Sequence, residues 1–479
     1  MKAHKNNMLA ISLYILPLTG ICLATNNIWR PYSYWLDELY SVTASSLGFS
    51  EMIRAMLADV HPPLYQLMLW LWMRLLSDHE PSTRGFSLIC CLSALAYLYL
   101  WSKRFDYWTR ILTVSFFATS WLFICYAQET RSYALILLLS TLLTGLFAID
   151  DRSEKSLWQI ISIAVLLGLT HYFGLLLSSA VLCWLFFQNI RKFQRLFVLT
   201  IAGLVLLAWP ITEYLCGSLG SKTGGRFWIQ VNGPLETLEI FFYSIAPVLR
   251  TWGNYVNHVL LTISIVTIFF LLVYRLKKFT NLTVFSEKSL ILKLTFCLFW
   301  VLGAAMAIDM NTPISTDRNY IVLLPIVSVM FGFAVSVFTR LRYASIGVMI
   351  LMLVWGKLQL DHAQTLLTAK WYPLQNWAEA SEYLVANALG NRLYYLRPSD
   401  SDENDRIFNY YVNRFSKGSI KVEPLYADML ADISSPAMVL FGATTSDTIA
   451  KIQSSEVLSV KKIIYPAQNR VNSTGVLIF

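Results

Sequence analysis

Long apolar runs separated by short polar loops dominate this chain. A membrane-crossing helix needs about 20 predominantly apolar residues, with a range of roughly 17–25. Runs of this length or slightly shorter lie at 8–25, 85–102, 111–126, 132–149, 157–170, 172–188, 196–215, 258–274, 290–308, 319–338 and 343–359. They predict about eleven spans. The short pair 157–170 and 172–188 flanks Thr170-His171-Tyr172. The first run resembles a signal-peptide core, but no small-residue cleavage site follows it, so it reads as a retained span.

Two apolar stretches of the loop 26–84 read differently. Residues 62–78, "PPLYQLMLWLWMRLLSD", are too short to cross comfortably, and Trp70, Trp72 and Arg74 suit a helix lying in the interface. In 49–60, Phe49, Met52, Ile53, Met56, Leu57 and Val60 recur at helical spacing, with Glu51, Arg54 and Asp59 on the other face. This loop is expected to form two or three short juxtamembrane helices, the first opened by Asp37. The second long loop, 216–257, is glycine-rich around "GSLGSKTGGRFW" and reads as mobile. Past residue 360 the period changes. "NRLYYL", "PAMVLFGA", "SVKKIIY" and "GVLIF" read as strands, and "ENDRIFNYYVNRFS" and "SDTIAKIQSS" as helices. The expected layout is a transmembrane domain over 1–360 and a small C-terminal α/β domain over 361–479, long enough to hold its own core.

Composition agrees with a polytopic membrane protein. Hydrophobic residues make up 56% and charged residues 14%, against about 25% charged in a soluble domain. The 16 Trp suit repeated passage through a headgroup layer. Positive charge falls in alternate loops: Lys2 and Lys5, Lys103/Arg104/Arg110, Arg152/Lys155, Arg191/Lys192/Arg195, Arg275/Lys277/Lys278/Lys288 and Arg340/Arg342. The intervening loops carry mixed charge. Positive loops stay cytoplasmic, which puts the N-terminus inside and both 26–84 and the C-terminal domain outside. The net charge of +9 is therefore a topology signal, and no nucleic-acid partner is expected. Seven cysteines, an odd number lying in or beside apolar runs, read as small core residues.

Three polar clusters fall at one face of this topology. "WLDELYS" carries Asp37 and Glu38, followed by His61-Pro62-Pro63. "CYAQETRSYAL" carries Tyr126, Gln128, Glu129 and Arg131, and "DRNYIVLLP" carries Asp317, Arg318 and Tyr320. Each has an ordinary explanation. Acids cap helix N-termini, and His-Pro-Pro can end one surface helix and start another. Ionisable groups near span ends are expensive unless they face a cavity or a headgroup, and three such clusters together argue for a shared site. His171 reads as a satisfied buried residue.

The run of "WLDELYS", "HPPLYQLMLWLWMRL", "YAQETRSYALILLL" and a late Arg-x-Tyr resembles the GT-C class of membrane glycosyltransferases over roughly the first 340 residues. It looks closest to the bacterial branch related to protein O-mannosyltransferases and the aminoarabinose transferase of lipid A. Some relatives have Lys where His61 stands, and the aminoarabinose branch has Arg where this chain has Tyr40. The resemblance implies inverting transfer of a sugar from a polyprenyl-phosphate (undecaprenyl-phosphate) donor to an acceptor hydroxyl on the periplasmic face of a bacterial inner membrane. It implies Asp37 as catalytic base, with Glu38 as the second acid of the catalytic motif, orienting the acceptor or the loop. His61, Arg131 and Arg318 are candidates for the donor phosphate, and Tyr126, Gln128, Glu129 and Tyr320 for substrate contacts. The expected acceptor is a lipopolysaccharide, O-antigen or other envelope glycan or glycolipid. The alternatives are a protein Ser/Thr acceptor, or a non-enzymatic lipid-glycan transporter or flippase. Transport would be marked by inverted repeats or midplane charges, and neither stands out. No cofactor is predicted and no metal motif stands out, so a divalent metal is left open.

Overall fold

The computed structural model describes residues 13–29, 32–59, 61–149, 153–216, 229, 231, 233–247, 287–340, 344–369, 376–397, 403–433, 435–444, 462–464 and 473–479. The expected span 258–274, most of the basic loop 275–289, most of the glycine-rich loop and the expected helix "SDTIAKIQSS" lie outside them.

Helix α1 (Ile15–Thr25) precedes three short helices in the first long loop: α2 (Leu36–Ser46), α3 (Phe49–Leu57) and α4 (Leu64–Leu75). At 12 residues, α4 reaches only about 18 Å, well short of a bilayer core of roughly 30 Å. Its Arg74 lies over the Trp70 ring and donates to the Leu47 carbonyl at 3.0 Å, capping the C-terminal end of α2.

The bundle continues through α5 (Glu80–Trp101), α6 (Tyr107–Thr119), α7 (Trp121–Tyr126), α8 (Tyr133–Ala148), α9 (Glu154–Gly168), α10 (Tyr172–Gln188) and α11 (Phe193–Leu215). After these come α12 (Pro234–Ile245), α13 (Glu287–Asp309), a 3-10 turn over Asp317–Leu323, α14 (Leu324–Ser336) and α15 (Ala344–Ala369). Among the described residues, five segments are long and apolar enough to cross a membrane: Glu80–Arg104, Phe193–Leu215, Glu287–Asp309, Asp317–Ser336 and Ala344–Thr368. The chain is a mostly helical, multi-pass membrane protein.

Helix α6 packs along α14, α5 along α8, and α9 against α10. A Cβ at Gly20 of α1 would strike the Ala118 carbonyl of α6, so glycine permits that close approach.

Several boundaries differ from the expected ones, each for a physical reason. The run 111–126 is broken at Ser120, whose backbone leaves the helical region. The Trp121 N–H released there is taken up by Gln359 Oε1, and the Trp121 indole donates to the Ser244 carbonyl. The run 319–338 begins as a 3-10 turn, because Pro325 near the start of α14 has no N–H to continue a ladder. Helix α15 runs beyond residue 360, through the Lys357–Asp361 pair. The expected boundary at 360/361 therefore falls inside a helix.

The C-terminal residues build α16 (Trp377–Ala386), β1 (Arg392–Leu396), α17 (Glu403–Ser416), β2 (Glu423–Leu425), β3 (Ala437–Thr444), β4 (Lys462–Ile464) and β5 (Ser473–Ile478). The strand order is β2-β1-β3-β5-β4, with β1 parallel to β2 and β3, and β5 antiparallel to β3 and β4. Alternate residues of β3 serve opposite faces. Met438 and Leu440 join a core with α16 and α17, while Val439 and Phe441 join Leu396, Leu425 and Leu477. The first of these cores also takes Tyr34, Leu39 and Val42, so α2 is built into the C-terminal unit.

Candidate active site

Helix α2 places two adjacent acids in opposite surroundings. Glu38 accepts the Trp35 backbone N–H at 3.3 Å, capping the start of its own helix. Arg84 of α5 grips the same carboxylate with two bonds, Nε to Oε1 at 3.0 Å and Nη2 to Oε2 at 2.8 Å. Oε1 also accepts the Thr130 N–H at 2.9 Å. Arg84 turns its remaining donors on the carbonyls of Tyr32 and Ser33, at 2.9 and 3.1 Å. Both side chains are fully buried. This pair ties three chain segments together.

Asp37 points the other way, and its side chain keeps 27% exposure. Arg318 Nη1 lies 3.2 Å from Asp37 Oδ2, and Arg131 Nη2 lies 3.6 Å from the same oxygen. Arg131 Nη1 donates to the Asp37 carbonyl at 3.2 Å and to Ser41 Oγ at 3.3 Å. The Arg318 guanidinium also stands over the Tyr133 ring.

Among the described residues, three buried polar atoms near this triad have no hydrogen-bond partner: Glu129 Oε2, Arg131 Nε and the Tyr65 hydroxyl. Buried polar atoms are paired in the large majority of cases, so such a group marks a place for a ligand or water. Glu129 sits in the loop between α7 and α8. Burial, followed by the charge of Glu38, pushes its carboxyl up to about 8 against the pull of Arg318 and Arg131. At neutral pH it is a neutral acid able to donate.

His61 lies at the rim, its Nδ1 2.7 Å from Asp59 Oδ2 and its ring 6.0 Å from that of His171. His171 Nδ1 accepts the Phe173 N–H, and burial lowers the affinity of the ring for a second proton, so this imidazole is neutral. Behind it, Tyr172 and Trp209 both donate to Glu213. Among the described residues no group of three or more His, Cys, Asp or Glu is placed to hold a metal ion.

Among the described residues, Lys192, Arg195 and Lys293 gather beside the C-terminal end of α8. There Arg195 bonds Glu154 at 2.8 Å, and Lys293 donates to the Phe147 carbonyl at 3.0 Å.

A family profile described as dolichyl-phosphate-mannose-protein mannosyltransferase matches residues 60–212. The apo crystal structure of ArnT from Cupriavidus metallidurans superposes over 97% of this chain and 97% of its own, with a TM-score of 0.55 at 11% identity. The same protein bound to undecaprenyl phosphate gives 0.52 at 10% identity, covering 98% of this chain and 97% of its own. The Archaeoglobus fulgidus oligosaccharyltransferase in complex with zinc and sulfate gives 0.50 at 10% identity, covering 97% of this chain and 72% of its own. The chain shares the overall fold of these structures, the GT-C fold. No curated protein sequence matches it.

Within this GT-C fold the residues singled out from the sequence separate into two groups. Asp37, Arg131, Arg318 and Glu129 converge, and His61 borders them through His171 and Tyr133. Tyr126 packs against Tyr133 with the rings tilted and their centroids 4.6 Å apart. Glu38, Gln128 and Tyr320 are instead engaged by other groups of the protein. Glu38 is bonded by Arg84 and two backbone donors and is fully buried, an arrangement that agrees with the expected role of orienting the loop. Gln128 Nε2 donates to the Leu23 and Ile124 carbonyls, at 2.9 and 2.8 Å, while Oε1 accepts the Asn27 N–H at 2.9 Å. That amide is a tie to the end of α1. The Tyr320 hydroxyl pairs with Ser315 Oγ at 2.9 Å, inside a network that Asp309 organises with the Ile314 and Ser315 N–H groups.

Sequence reading missed Arg84 and Tyr65. Arg84 is hidden four residues inside α5, and its signal was a lone arginine ahead of an apolar run. Tyr65 lies within the quoted "HPPLYQ" and could have been weighed with it.

Proposed function

We propose that this chain is an inverting glycosyltransferase that moves a sugar from a polyprenyl-phosphate carrier, undecaprenyl phosphate in bacteria, to an acceptor hydroxyl. The observation that carries this proposal is the Asp37–Arg131–Arg318 triad, in which two guanidiniums face one partly exposed carboxylate on a GT-C fold. Arginine forks match phosphate oxygens. The donor phosphate takes over the guanidinium donors and so releases Asp37 from its ion pairs. The acceptor oxygen then attacks the anomeric carbon, its proton passes to Asp37, and the bond from that carbon to the phosphate oxygen breaks. A single displacement inverts the centre. The leaving phosphate needs no strong general acid, and neutral Glu129 supplies a donor for a sugar or acceptor oxygen.

His61 extends the basic rim toward the carrier. The alternation of basic loops along the sequence, with Lys192, Arg195 and Lys293 beside the C-terminal end of α8, supports a cytoplasmic N-terminus, with the active site and the C-terminal α/β unit on the periplasmic side of the inner membrane. The favoured acceptor is a lipopolysaccharide, O-antigen or other envelope glycan. The match to the mannosyltransferase profile keeps a Ser/Thr protein acceptor as the second reading. The test is incubation of the purified protein with undecaprenyl-phosphate sugars plus either membrane glycolipids or Ser/Thr peptides, read by mass spectrometry. Sugar on the glycolipid is the expected result. Sugar on the peptide selects the second reading, and transfer to neither acceptor overturns the enzyme assignment.

A further inference from the structure

The loop that carries Asp37 is held from both sides, and one of the holders is the C-terminal unit. Glu80, in the first turn of α5, accepts the Tyr411 hydroxyl at 2.5 Å and Arg414 Nη1 at 3.0 and 3.1 Å. The Tyr411 oxygen in turn accepts the Tyr34 backbone N–H at 2.8 Å. The Tyr34 hydroxyl donates to the Asp78 carbonyl at 2.7 Å and pairs with Thr83 at 2.6 Å. From the far side, the Trp377 N–H donates to Ser33 Oγ at 3.1 Å. Leu39 and Val42 of α2 are fully buried in the core that Trp377, Phe408 and Tyr411 share.

Residues 33 and 34 are therefore fixed from α16 and α17, and Asp37 begins the helix that follows them. An 11-residue helix has little stability alone, because isolated helices shorter than about 12–15 residues are marginal in water. A reacting carboxylate must be held to within about 0.5 Å of its productive position. The bundle holds α2 itself through Arg84 and Thr130 on Glu38, Arg131 on the Asp37 carbonyl and Ser41, and Arg74 at its C-terminal end, whereas the contacts that the C-terminal unit supplies fall on residues 33 and 34, ahead of the helix, and on Leu39 and Val42.

We infer that the C-terminal α/β unit is a clamp that positions Asp37 for the reaction, acting through Arg414 and Tyr411 on Glu80 and Tyr34. Neither residue touches the reacting groups, so both are positioning residues. This inference rests on the reading of Asp37 as the base, but its structural half can be tested without activity.

The full-length protein is compared in detergent or nanodiscs as wild type, Arg414→Ala, Arg414→Lys and Tyr411→Phe. Hydrogen exchange is followed over residues 32–46, alongside transfer kinetics. Lost hydrogen bonds to a charged group correspond to roughly a ten- to hundred-fold effect. Arg414→Ala and Tyr411→Phe are expected to speed exchange in 32–46 by about tenfold, within that range. Exchange in β3 and β5 should stay at the wild-type rate. In the same two variants kcat should fall by about ten- to a hundred-fold with the donor KM nearly unchanged, and Arg414→Lys should recover most of the loss. Wild-type exchange over 32–46 in both variants overturns the clamp. So does looser exchange accompanied by an unchanged kcat, or exchange that rises equally in β3 and β5. If the wild-type protein transfers no sugar at all, the functional reading fails by itself, while the exchange data still decide whether the C-terminal unit holds α2.

Discussion

Asp37 and Glu38 stand side by side, and each faces arginine. Glu38 meets Arg84 in a fully buried pair in which each carboxylate oxygen has a donor. Asp37 meets two guanidiniums at longer range, keeps open surface, and has unpartnered buried polar atoms close by. The difference teaches that an acid–arginine pair is structural when its geometry is saturated. It becomes available for chemistry when cations outnumber anions and some donors lack partners. The sealed pair fixes the loop, and the open triad can exchange its carboxylate for a phosphate.

The largest effect should come from breaking the sealed pair. Removing one partner of a buried ion pair costs roughly 3–5 kcal/mol, because the other charge is left uncompensated. Arg84→Met should therefore sharply lower the unfolding temperature and the yield of folded protein. Asp37→Asn should cost far less, since Asp37 is partly exposed and Asn keeps a side-chain oxygen for Arg131 and Arg318. Equal thermal stability of the two variants would erase the distinction between the two acids.

Next in size is the effect on the donor. Arg318→Ala and Arg131→Ala each remove hydrogen bonds to a charged group, worth about 1.5–3 kcal/mol. Donor affinity should fall by about ten- to a hundred-fold in each variant. Native mass spectrometry with a polyprenyl-phosphate sugar measures this directly. Unchanged affinity in both would move the phosphate site elsewhere.

How much of this was legible in the sequence depends on what each residue pairs with. Local pattern suffices where the partner is lipid or a periodic core. The amphipathic spacing of 49–60 corresponds to α3, and the run at 62–78 to a helix too short to span. Four of the expected C-terminal strands coincide with β1, β3, β4 and β5. Pattern fails where a polar residue is buried against a distant one. Helix α5 begins at Glu80, ahead of the expected residue 85, because Glu80 and Arg84 are matched by Arg414 and Glu38. Nothing within five residues of them reveals those partners. The same holds for Gln128, whose polar character suggested substrate although its partners are backbone groups at the end of α1.

The smallest expected effect is a pH dependence. Glu129 has its proton affinity raised from 4.5 to about 8, first by burial. The folded protein then keeps a proton that the unfolded chain releases above about 4.5. The associated stability is present at low pH and is lost as pH rises through about 8. Ionisation there also removes a donor and adds negative charge beside Asp37. The transfer rate should decline on the alkaline side of about pH 8. Glu129→Gln, which keeps a donor and cannot ionise, should flatten that limb. An alkaline limb identical in wild type and Glu129→Gln would assign the titration to another group.

The central claim is that Asp37 takes the acceptor proton while the arginines it pairs with hold the donor phosphate. One measurement on Asp37→Asn tests it: donor affinity and turnover determined on the same preparation. General base catalysis is worth about 10²–10⁴ in rate, so turnover should fall by that factor. Donor affinity should stay at the wild-type value or tighten, because a carboxylate that competes with phosphate for Arg131 and Arg318 has been removed. Donor binding weakened by about tenfold or more, or turnover close to wild type, would contradict the account.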